Sequence, residues 1–470
     1  MTHHDVLIIG SGSGNTLPGG ELDNLNIGLV DRGIFGGTCL NLGCIPTKMF
    51  VHTAELAAVP DRADRFGLTE SFDGADWPAI RDRIFGRIDP ISAAGEDYRK
   101  NHPDNDNLTL YRGTASFTGP KAMVIATDDG EVEVTADRIV LAAGSRPDLP
   151  PIDGIDEVGG YTSDNVMRMA ELPASLVILG SGFIAAEFAH IFSALGVDVT
   201  IIARSDALLR AEDAEVSELF TREATKYCTV VTNFSTVSVS RDEEGVTLRA
   251  DDGRTVAAQE LLIATGRRPN TDLLHVERAG IQPSGGLIPV DDYQRVLGPD
   301  GAVIDGLWAL GDICSRQQLK HLANAQARAV AHNLAHPDEL IATLPGPVPH
   351  AVFGQPQIGS VGLTEAQARE RGYEVIIGRQ AYRDIAYGWA MEEPAGFAKV
   401  ICEAATTKIL GAHIIGPQAA TLIQLLIQAI AQGLTAADLA RSQYWIHPAM
   451  PELIENALLD VTAQREEAGQ

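Results

Sequence analysis

The chain has 470 residues, of which 45% are hydrophobic and 21% charged, an ordinary globular balance with room for roughly two to four domains. Its formal net charge of −27 argues against a nucleic-acid partner, because nucleic acids bind basic surfaces. No apolar run reaches the roughly 18 residues that span a membrane, and the N-terminus shows no export signal, so we expect a cytoplasmic protein.

The first predicted strand is the continuous apolar run VLIIG at 6–10, which indicates a strand buried on both faces of a parallel sheet. It leads into the glycine-rich segment 10–15 (GSGSGN), and a second strand ends about twenty residues later in Asp31. This pattern is typical of dinucleotide binding, because the glycines let the backbone approach a pyrophosphate and the carboxylate accepts hydrogen bonds from a ribose. Two departures weaken it: Asn15 replaces the third glycine, and Pro-Gly-Gly at 18–20 interrupts the following helix.

Two of the five cysteines, Cys39 and Cys44, lie in the segment GGTCLNLGCIPTKMF at 36–50. Their spacing alone allows a metal clip, a structural disulfide or a redox pair. Zinc would need a second clip, which is absent, and static disulfides are unusual in a reducing compartment. A redox pair is favoured, because Cys39 opens a predicted helix and Lys48 lies one turn after Cys44, where it could stabilise a reduced flavin. Glu187 is the predicted counter-charge of Lys48.

A second copy of the dinucleotide pattern appears at 176–204. The strand LVILG leads into GSGFIA at 180–185, in which Ala185 takes the third position, and a well-formed amphipathic helix follows. Arg204 stands where an acidic residue would suit a free ribose 2′-hydroxyl, and Arg210 follows six residues on. Two cations there favour NADPH over NADH, because they suit a 2′-phosphate. The alternative is that both arginines are solvated surface residues.

Three further apolar segments, at 138–147, 260–270 and 306–314, run from a predicted strand into glycine. The last contains Gly311-Asp312, and a carboxylate at such a strand end could bind a ribityl hydroxyl of a flavin nucleotide. Taken singly, each segment would be a buried strand and a turn. Two nucleotide sites in one chain nevertheless indicate two cofactors that exchange electrons.

A candidate acid–base residue, His447, lies in the segment WIHPAMPE at 445–452. Two prolines keep this segment out of a helix, and an X–Pro bond here could be cis. Glu452 could orient the imidazole and stabilise its protonated form. Because His447 is far along the chain from Cys39, spacing does not show whether the two meet, and a structural histidine is the alternative.

Taken together, these segments resemble the FAD-dependent pyridine nucleotide–disulfide oxidoreductases. The resemblance covers essentially the whole chain, with motifs in the family's order: two nucleotide fingerprints, GGTCLNLGCIPTK at 36–48, ATGRRPN at 264–270, ALGD at 309–312 and HPAMPE at 447–452. GSGSGN, IPTKMF, HPAMPELIENALL and the arginine pair are most similar to the mycothione reductase branch. The alternatives are an NAD-dependent dihydrolipoyl dehydrogenase, a glutathione-type disulfide reductase, a flavin monooxygenase or NADH oxidase, and a partner-binding scaffold without catalysis.

The resemblance implies an α/β fold with two Rossmann-like dinucleotide-binding domains, as in glutathione reductase, and an α+β C-terminal dimerisation domain. The FAD-binding domain would be discontinuous, comprising 1–150 and 270–344. The NADPH-binding domain would span 151–269 and the interface domain 345–470. Bound FAD, NADPH as co-substrate and a homodimer are implied, with neither nucleic acid nor membrane as a partner.

Roles are also implied residue by residue. Cys44 would be the flavin-proximal thiol and Cys39 the thiol that attacks a small disulfide, mycothione in that branch. The other catalytic residues would be Lys48, Glu187 and, completing the other subunit's site, His447 and Glu452. The implied FAD-binding residues are Gly10, Gly12, Ser13, Gly14, Asn15, Asp31, Gly37, Thr38, Lys48, Ala143, Gly144, Gly311 and Asp312. The implied NADPH-binding residues are Gly180, Gly182, Phe183, Ile184, Glu187, Arg204, Arg210 and Gly266, and no metal ligand is expected.

Overall fold

Residues 1–344 and 346–468 are described by the structure, a computed structural model. The strands, β1 to β22 in chain order, are Thr2–Ile9, Ile27–Asp31, Leu108–Gly119, Ala122–Thr127, Gly130–Leu141, Ser145–Pro147, Tyr161–Thr162, Ser175–Leu179, Asp198–Ile202, Thr229–Val231, Thr236–Arg241, Val246–Ala250, Thr255–Ala258, Glu260–Ile263, Arg267–Pro269, Arg295–Leu297, Val303–Ala309, His350–Val352, Ile358–Gly362, Val375–Ala381, Phe397–Glu403 and Ile409–Ile415. The α-helices, α1 to α12, are Gly37–Asn41, Cys44–Ala57, Pro60–Ala63, Trp77–Asn101, Phe183–Ala194, Ala214–Ala224, Lys320–Ala335, Glu365–Glu370, Ala386–Ala390, Ala419–Gln432, Ala436–Arg441 and Glu452–Ala468. Over these described ranges, no helix combines the length and apolarity needed to cross a membrane.

The chain divides by its internal contacts into two units. Unit 1 comprises Met1–Thr47, Pro78–Asp148 and Gly266–Pro345. Unit 2 comprises Lys48–Trp77, Leu149–Thr265 and Gly346–Gln470. The predicted division into three domains stays a prediction, and its boundary at 344/345 falls at Pro345, which lies outside the described residues.

Unit 1 is built on a sheet whose parallel strands follow the order β3-β2-β1-β5-β17. Strand β4 pairs antiparallel with the C-terminal half of β3 and with the N-terminal half of β5. Strand β16 pairs antiparallel with β17 at the edge of the sheet. In the centre, Val6 stands opposite Ile27 on one side and Arg138 on the other. The predicted strand at 6–10 is therefore the middle of this sheet.

Strand β1 is apolar on both faces because each face carries its own core. Leu7 and Ile9 belong to one buried cluster, whereas Val6 and Ile8 belong to a second cluster that includes Val330 of α7. Alternating side chains of a strand point to opposite faces, so a strand covered on both sides must be apolar throughout. This packing places the glycine-rich segment at the carboxyl edge of the parallel sheet, where nucleotides bind.

Two short 3₁₀ turns, Gly14–Thr16 and Gly20–Leu22, follow the first glycine-rich segment in place of a regular helix. The predicted interruption is thereby confirmed. Pro18 lacks the N–H that a helix needs, and Gly19 has φ +118, a conformation that favours glycine. Leu22 packs into the same core cluster as α7, which holds the second turn against that helix.

Unit 2 contains a second parallel sheet with the order β10-β9-β8-β14-β7. The predicted strand at the start of the second dinucleotide pattern is β8, and α5 follows it before the chain returns in β9. Every residue of α5 from Ala185 to Phe192 is buried, including Glu187. A three-stranded antiparallel sheet, β11-β12-β13, is inserted before β14.

The C-terminal part of unit 2 is an antiparallel sheet with the order β18-β19-β22-β21-β20. Helix α10 packs on β19 and β22, and α12 packs on β20 and β21. The helices and the sheet share one buried core that includes Tyr382, Leu426 and Leu458. This combination is the α+β arrangement that was predicted for the dimerisation region.

Candidate active site

A cleft in unit 1 opens beside the carboxyl ends of β1 and β2 and holds about 740 Å³ of empty space, which includes open solvent. Its lining contains five residues of the predicted FAD set: Gly10, Asp31, Gly37, Thr38 and Ala143. Nucleotides bind at the carboxyl ends of the parallel strands in sheets of this kind, so the position of the cleft suits a nucleotide.

Two glycines at this cleft are required for steric reasons. A Cβ added to Gly37 would lie 2.6 Å from the Cα of Gly12, so position 37 has no room for a larger residue. Gly10 has φ +114, and a Cβ there would lie 2.3 Å from the Ala142 carbonyl oxygen. Close backbone approach of this kind is what a pyrophosphate requires, so the residues present fit FAD.

The Asp31 carboxylate is held in place by its surroundings. Its Oδ2 accepts a 2.8 Å hydrogen bond from Ser11 N, and its Oδ1 accepts one of 2.8 Å from Gly33 N. The Arg112 guanidinium lies 3.4 Å from Oδ1. The sequence analysis missed Arg112, because only the pairing of β2 with β3 places it opposite Asp31.

A second cation, also missed, lies at the glycine-rich turn. Lys320 Nζ donates a 2.9 Å hydrogen bond to Ser13 Oγ, which donates one of 3.2 Å to Asn324 Oδ1. Both partners come from the first turns of α7. An ammonium group here would add to the positive end of the dipoles that favour a pyrophosphate.

Asp312 follows β17, as predicted, and is tied to other residues of unit 1. Its Oδ2 accepts a 2.7 Å hydrogen bond from Ser145 Oγ, and Ser145 Oγ accepts one of 3.0 Å from Arg267 Nε. The neighbouring Gly311 N donates a 2.8 Å hydrogen bond to Gln326 Oε1. These bonds fix where the Asp312 carboxylate is presented.

Asn270 holds the other predicted FAD residues of unit 1. Its Nδ2 donates to the Ala143 carbonyl at 2.7 Å, and its backbone N–H donates to the Gly144 carbonyl at 3.0 Å. Gly266 has φ +143 and accepts a 3.0 Å hydrogen bond from Asp148 N. Gly266 was predicted to bind NADPH, but it belongs to unit 1, whereas the other residues of that set belong to unit 2.

The two cysteines flank the junction of two helices. Cys39 lies in α1 and is partly exposed, and Cys44 is the first residue of α2 and is exposed. Between them, the buried Asn41 donates hydrogen bonds of 2.8 Å to the Phe35 carbonyl and 3.1 Å to the Gly37 carbonyl. A helix was predicted to open at Thr38-Cys39; the structure has a helix here that begins at Gly37, so Cys39 lies in its first turn, where a thiolate is favoured.

Lys48 and Glu187 form the ion pair that was predicted. Lys48 Nζ lies 2.7 Å from Glu187 Oε1 and 2.6 Å from Oε2. Phe353, which the sequence analysis missed, adds a 3.0 Å hydrogen bond from its N–H to Glu187 Oε1. Its ring also lies 4.7 Å from Lys48 Nζ, a cation–π distance.

The second glycine-rich turn repeats the geometry of the first. Gly180 has φ +139, and a Cβ there would lie 2.2 Å from the Ala264 carbonyl oxygen. Gly182 precedes α5, whose first residues are Phe183 and Ile184. Phe183 is 48% exposed.

Arg204 and Arg210 follow β9 and are both exposed. Arg210 Nε lies 3.8 Å from Asp206 Oδ1, a pair exposed on both sides. Arg204 forms no ion pair with any residue that the structure describes. Exposed guanidinium groups of this kind are available to an anionic ligand.

His447 and Glu452 form the pair that was predicted. His447 Nδ1 lies 2.6 Å from Glu452 Oε1, while Glu452 Oε2 accepts a 3.2 Å hydrogen bond from Ala449 N. The bond from His447 holds the pKa of Glu452 below its usual value. The peptide bond between His447 and Pro448 is cis, as anticipated, and the His447 side chain is 70% exposed.

The other three cysteines are unsuited to redox chemistry. Burial raises the pKa of the thiols of Cys228, Cys314 and Cys402 to about 12. Because the thiolate is the reactive form, these thiols would be poor nucleophiles at neutral pH. Cys39 and Cys44 are thus left as the candidates for the predicted redox role.

Comparison with known proteins places the chain in a family. The model of the pyridine nucleotide-disulphide oxidoreductases matches residues 4–329, and the dimerisation domain of the same family matches residues 348–458. The mycothione reductase of Mycobacterium tuberculosis is 48% identical over 98% of this chain and 99% of its own length. The mercuric reductase of Streptomyces lividans is 34% identical, over 95% of this chain and 93% of its own.

Two further relatives complete the picture. The dihydrolipoyl dehydrogenase of Mycobacterium bovis is 31% identical over 97% of each chain. The HOCl-induced flavoprotein disulfide reductase RclA of Escherichia coli, solved as a Cu(II) complex, has a TM-score of 0.85 and 27% identity, covering 98% of this chain and 99% of its own.

The predicted fold class is confirmed, and the predicted cofactors, FAD and NADPH, agree with a flavoprotein family named for its pyridine nucleotide. The dimerisation domain likewise supports the predicted homodimer. The chain belongs to the pyridine nucleotide-disulphide oxidoreductase family, whose members are enzymes.

Proposed function

We propose that this chain is an NADPH-dependent flavoprotein disulfide reductase whose substrate is mycothione, the symmetrical disulfide of mycothiol. The observation that carries the proposal is the 48% identity with a mycothione reductase along essentially the whole of both chains. The exposed Cys44, the partly exposed Cys39 and the Lys48–Glu187 pair supply the residues that disulfide reduction needs.

The cysteine pair performs thiol–disulfide exchange. When bound, FAD supplies hydride acceptance from the nicotinamide and two-electron reduction of the Cys39–Cys44 disulfide. The Cys39 thiolate attacks one substrate sulfur, which forms a mixed disulfide and releases the first thiol. The Cys44 thiolate then attacks the Cys39 sulfur, which restores the disulfide and releases the second thiol. Two electrons and two protons thus convert one disulfide into two thiols.

Lys48 provides the cation beside the flavin in this proposal. It lies one helical turn after Cys44 in α2, and the almost fully buried Glu187 fixes its ammonium group. A fixed positive charge stabilises an anionic reduced cofactor and favours hydride acceptance. The two acceptor oxygens of Glu187 orient Lys48 Nζ for this purpose.

His447 provides the proton for the first leaving thiol. Glu452 accepts the Nδ1 hydrogen bond, which orients the ring and leaves Nε2 as the proton donor. We propose that His447 and Glu452 act in the site of the partner subunit of the homodimer. The 70% exposure of the His447 side chain in the single chain supports this placement, because an acid–base residue in a finished site would be covered.

Two other kinds of disulfide reductase fit the sequence less well, one because of its coenzyme and the other because of the charge of its substrate. A dihydrolipoyl dehydrogenase would use NAD and a carboxylate at position 204, where this chain has Arg204. A glutathione-type reductase would accept a more anionic disulfide, which the net charge of −27 disfavours.

The experiment that tests the function is a substrate panel on the purified FAD-loaded enzyme. Mycothione, glutathione disulfide and lipoamide are each assayed with NADPH and with NADH. We expect kcat/KM for mycothione with NADPH to exceed every other combination by at least about 100-fold, the discrimination that a site built for one polar substrate achieves. A preference for lipoamide with NADH, or for glutathione disulfide, would overturn the proposal.

We further propose that the enzyme works in the cytoplasm. An odd number of cysteines and a redox pair that must cycle through dithiol suit a reducing compartment. Fractionation of cells followed by immunodetection tests this placement.

A further inference from the structure

We propose that unit 1 carries a divalent transition-metal site, formed by His332 and His336 at the end of α7 and by Glu21 of the 3₁₀ turn Gly20–Leu22. One ligand atom from each of the three side chains lies within 4.8 Å of the other two. No metal was expected from the sequence, and this trio lies outside the residues to which a role was assigned.

The histidines are paired by helical spacing. They stand four residues apart, and the His336 N–H donates to the His332 carbonyl at 2.8 Å, so the last helical turn includes both. Their ring centroids are 4.7 Å apart. Two imidazoles on one helical face are a common arrangement in zinc and nickel sites, because one ion reaches both nitrogens at about 2.0–2.1 Å.

The orientation of His332 leaves a nitrogen available for a metal. Its Nε2 lies 3.0 Å from the Glu339 carbonyl oxygen, and since a carbonyl only accepts, Nε2 carries the proton. The lone pair of the neutral ring is then on Nδ1. A metal-ligating histidine usually donates its other ring N–H to a carbonyl or carboxylate in this way, which fixes the tautomer and the ring orientation.

Glu21 supplies the third ligand and brings a separate part of the chain. Its Oε1 lies 3.1 Å from His336 Nε2. Leu22, the next residue, is buried in the same cluster as Ala327 and Leu334 of α7, so the position of the turn is set by packing as well as by this contact. A bound ion would therefore tie the interrupted segment after the first glycine-rich turn to α7.

The donor set indicates the class of ion. Two imidazoles and one carboxylate suit Zn²⁺, Ni²⁺ and Cu²⁺, whereas Mg²⁺ prefers oxygen ligands alone. The Glu21 and His336 side chains are 60% and 43% exposed, so water can complete the coordination. A surface ion pair between Glu21 and a protonated His336 is the competing explanation, and it requires no metal.

Zinc titration of the full-length, FAD-loaded protein without an affinity tag tests the proposal. The oxidised enzyme is used, so that Cys39 and Cys44 do not compete for the ion. We expect one saturable Zn²⁺ site per chain, and His336→Gln to weaken it at least about tenfold. His102→Gln is the matched control, because His102 is also exposed in unit 1 and lies 3.6 Å from Asp104.

Thermal denaturation supplies a second readout. Zn²⁺ should raise the melting temperature of the wild-type protein and of His102→Gln but not of His336→Gln, and Mg²⁺ should raise none of them. Glu21→Gln gives the same test if His336→Gln proves unstable without metal. Equal Zn²⁺ affinity in the wild type and both ligand variants, or no saturable site in the wild type, overturns the proposal.

Discussion

Lys48 Nζ stands 2.6 Å from Glu187 Oε2, although 139 residues separate the two along the chain. The two partners differ in their access to water: the Glu187 side chain is 5% exposed and the Lys48 side chain 35%. Removing one charge therefore has a different consequence from removing the other.

Lys48→Met should destabilise the protein more than Glu187→Gln. Loss of the lysine leaves a nearly buried carboxylate for which Phe353 N is the one remaining donor among the residues that the structure describes, and this costs about 3–5 kcal/mol. Loss of the carboxylate leaves a lysine that still reaches water and should cost about 1–2 kcal/mol. Urea denaturation of the FAD-loaded variants measures both. Lys226→Met, which breaks a more exposed pair with Glu223, serves as control and should cost below about 1 kcal/mol. If Lys48→Met lowers the free energy of unfolding no more than this control, the Glu187 carboxylate does not need Lys48 to remain buried.

Cys44→Ser should abolish disulfide reduction, lowering turnover at least about a thousandfold, because Cys44 is needed to resolve the mixed disulfide. Reduction of the flavin by NADPH, followed by stopped-flow absorbance, should persist. Cys228→Ser is the control, since its buried thiol donates to the Ala224 carbonyl at 3.3 Å and a serine hydroxyl can replace it. Turnover that survives Cys44→Ser would instead identify an oxidase or a monooxygenase.

Arg204→Gln should raise KM for NADPH at least about tenfold and leave KM for NADH unchanged. The reason is that a charge-assisted hydrogen bond to a 2′-phosphate contributes about 1.5–3 kcal/mol, and NADH has no such phosphate. Arg222→Gln removes an equally exposed arginine of unit 2 and should alter neither value. A wild-type enzyme that strongly prefers NADH would refute this assignment of Arg204.

Mixed dimers should reveal whether His447 acts in trans. Cys44→Ser and His447→Gln homodimers should each be inactive in disulfide reduction. In a heterodimer of the two, one site would contain both changes and the other neither, if the site is shared across the two-fold axis. Refolding an equal mixture should then restore about a quarter of wild-type activity, because half of the dimers are mixed. Activity that stays at the background level would place His447 in its own subunit's site.

His350→Gln should weaken stability only below about neutral pH. Burial lowers the pKa of His350, but the hydrogen bond and charge of Glu212 outweigh it, so the pKa is raised above 6.5. The stabilisation is therefore complete below pH 6.5 and disappears as pH rises through the raised value. Burial alone would raise the pKa of Glu212, but His350 and Ser360 lower it below 4.5. Glu212 therefore stays ionised, and the pair intact, down to a pH below 4.5.

Unfolding free energies of the wild type and His350→Gln, measured from pH 5 to pH 8.5, test this window. The difference should shrink as pH rises through the raised pKa of His350, because a neutral imidazole no longer offers a charge to the Glu212 carboxylate. His52→Gln, with an exposed side chain, should show no comparable trend. His413 is left unchanged in both proteins. Burial lowers its pKa, so its contribution to the free energy of unfolding rises with pH, opposite to that of His350.

The features that could be predicted from the sequence are those whose chemistry is local. Glycine-rich turns after apolar strands need glycine for steric reasons that act within a few residues, as the positive φ of Gly10 and Gly180 shows. The interruption after the first turn was visible in Pro18 and its two glycines for the same reason. His447 and Glu452 are five residues apart, so their pairing also lay within reach of a local argument.

The features that were missed depend on strand register and on packing between distant segments. Arg112 meets Asp31 only because β3 pairs with β2, and Lys320 meets Ser13 only because α7 covers the central sheet. Phe353 N reaches Glu187 from a part of the chain that no spacing rule connects to α5. The proposed metal site belongs to both groups. The i, i+4 spacing of the two histidines can be seen in the sequence, whereas Glu21 joins them through tertiary contacts.

By itself, the sequence determined the two nucleotide turns, the redox cysteine pair, the proline-bounded His447 segment and hence the family. It did so because turns, caps and reactive spacings are set by covalent geometry over short distances. Only the tertiary structure decided that Phe353 joins the Lys48–Glu187 pair, which cations lie by the first glycine-rich turn and which three thiols are masked by burial. Those outcomes depend on which faces pack together and on how much water they exclude, and burial and charge pairing are properties of the folded chain.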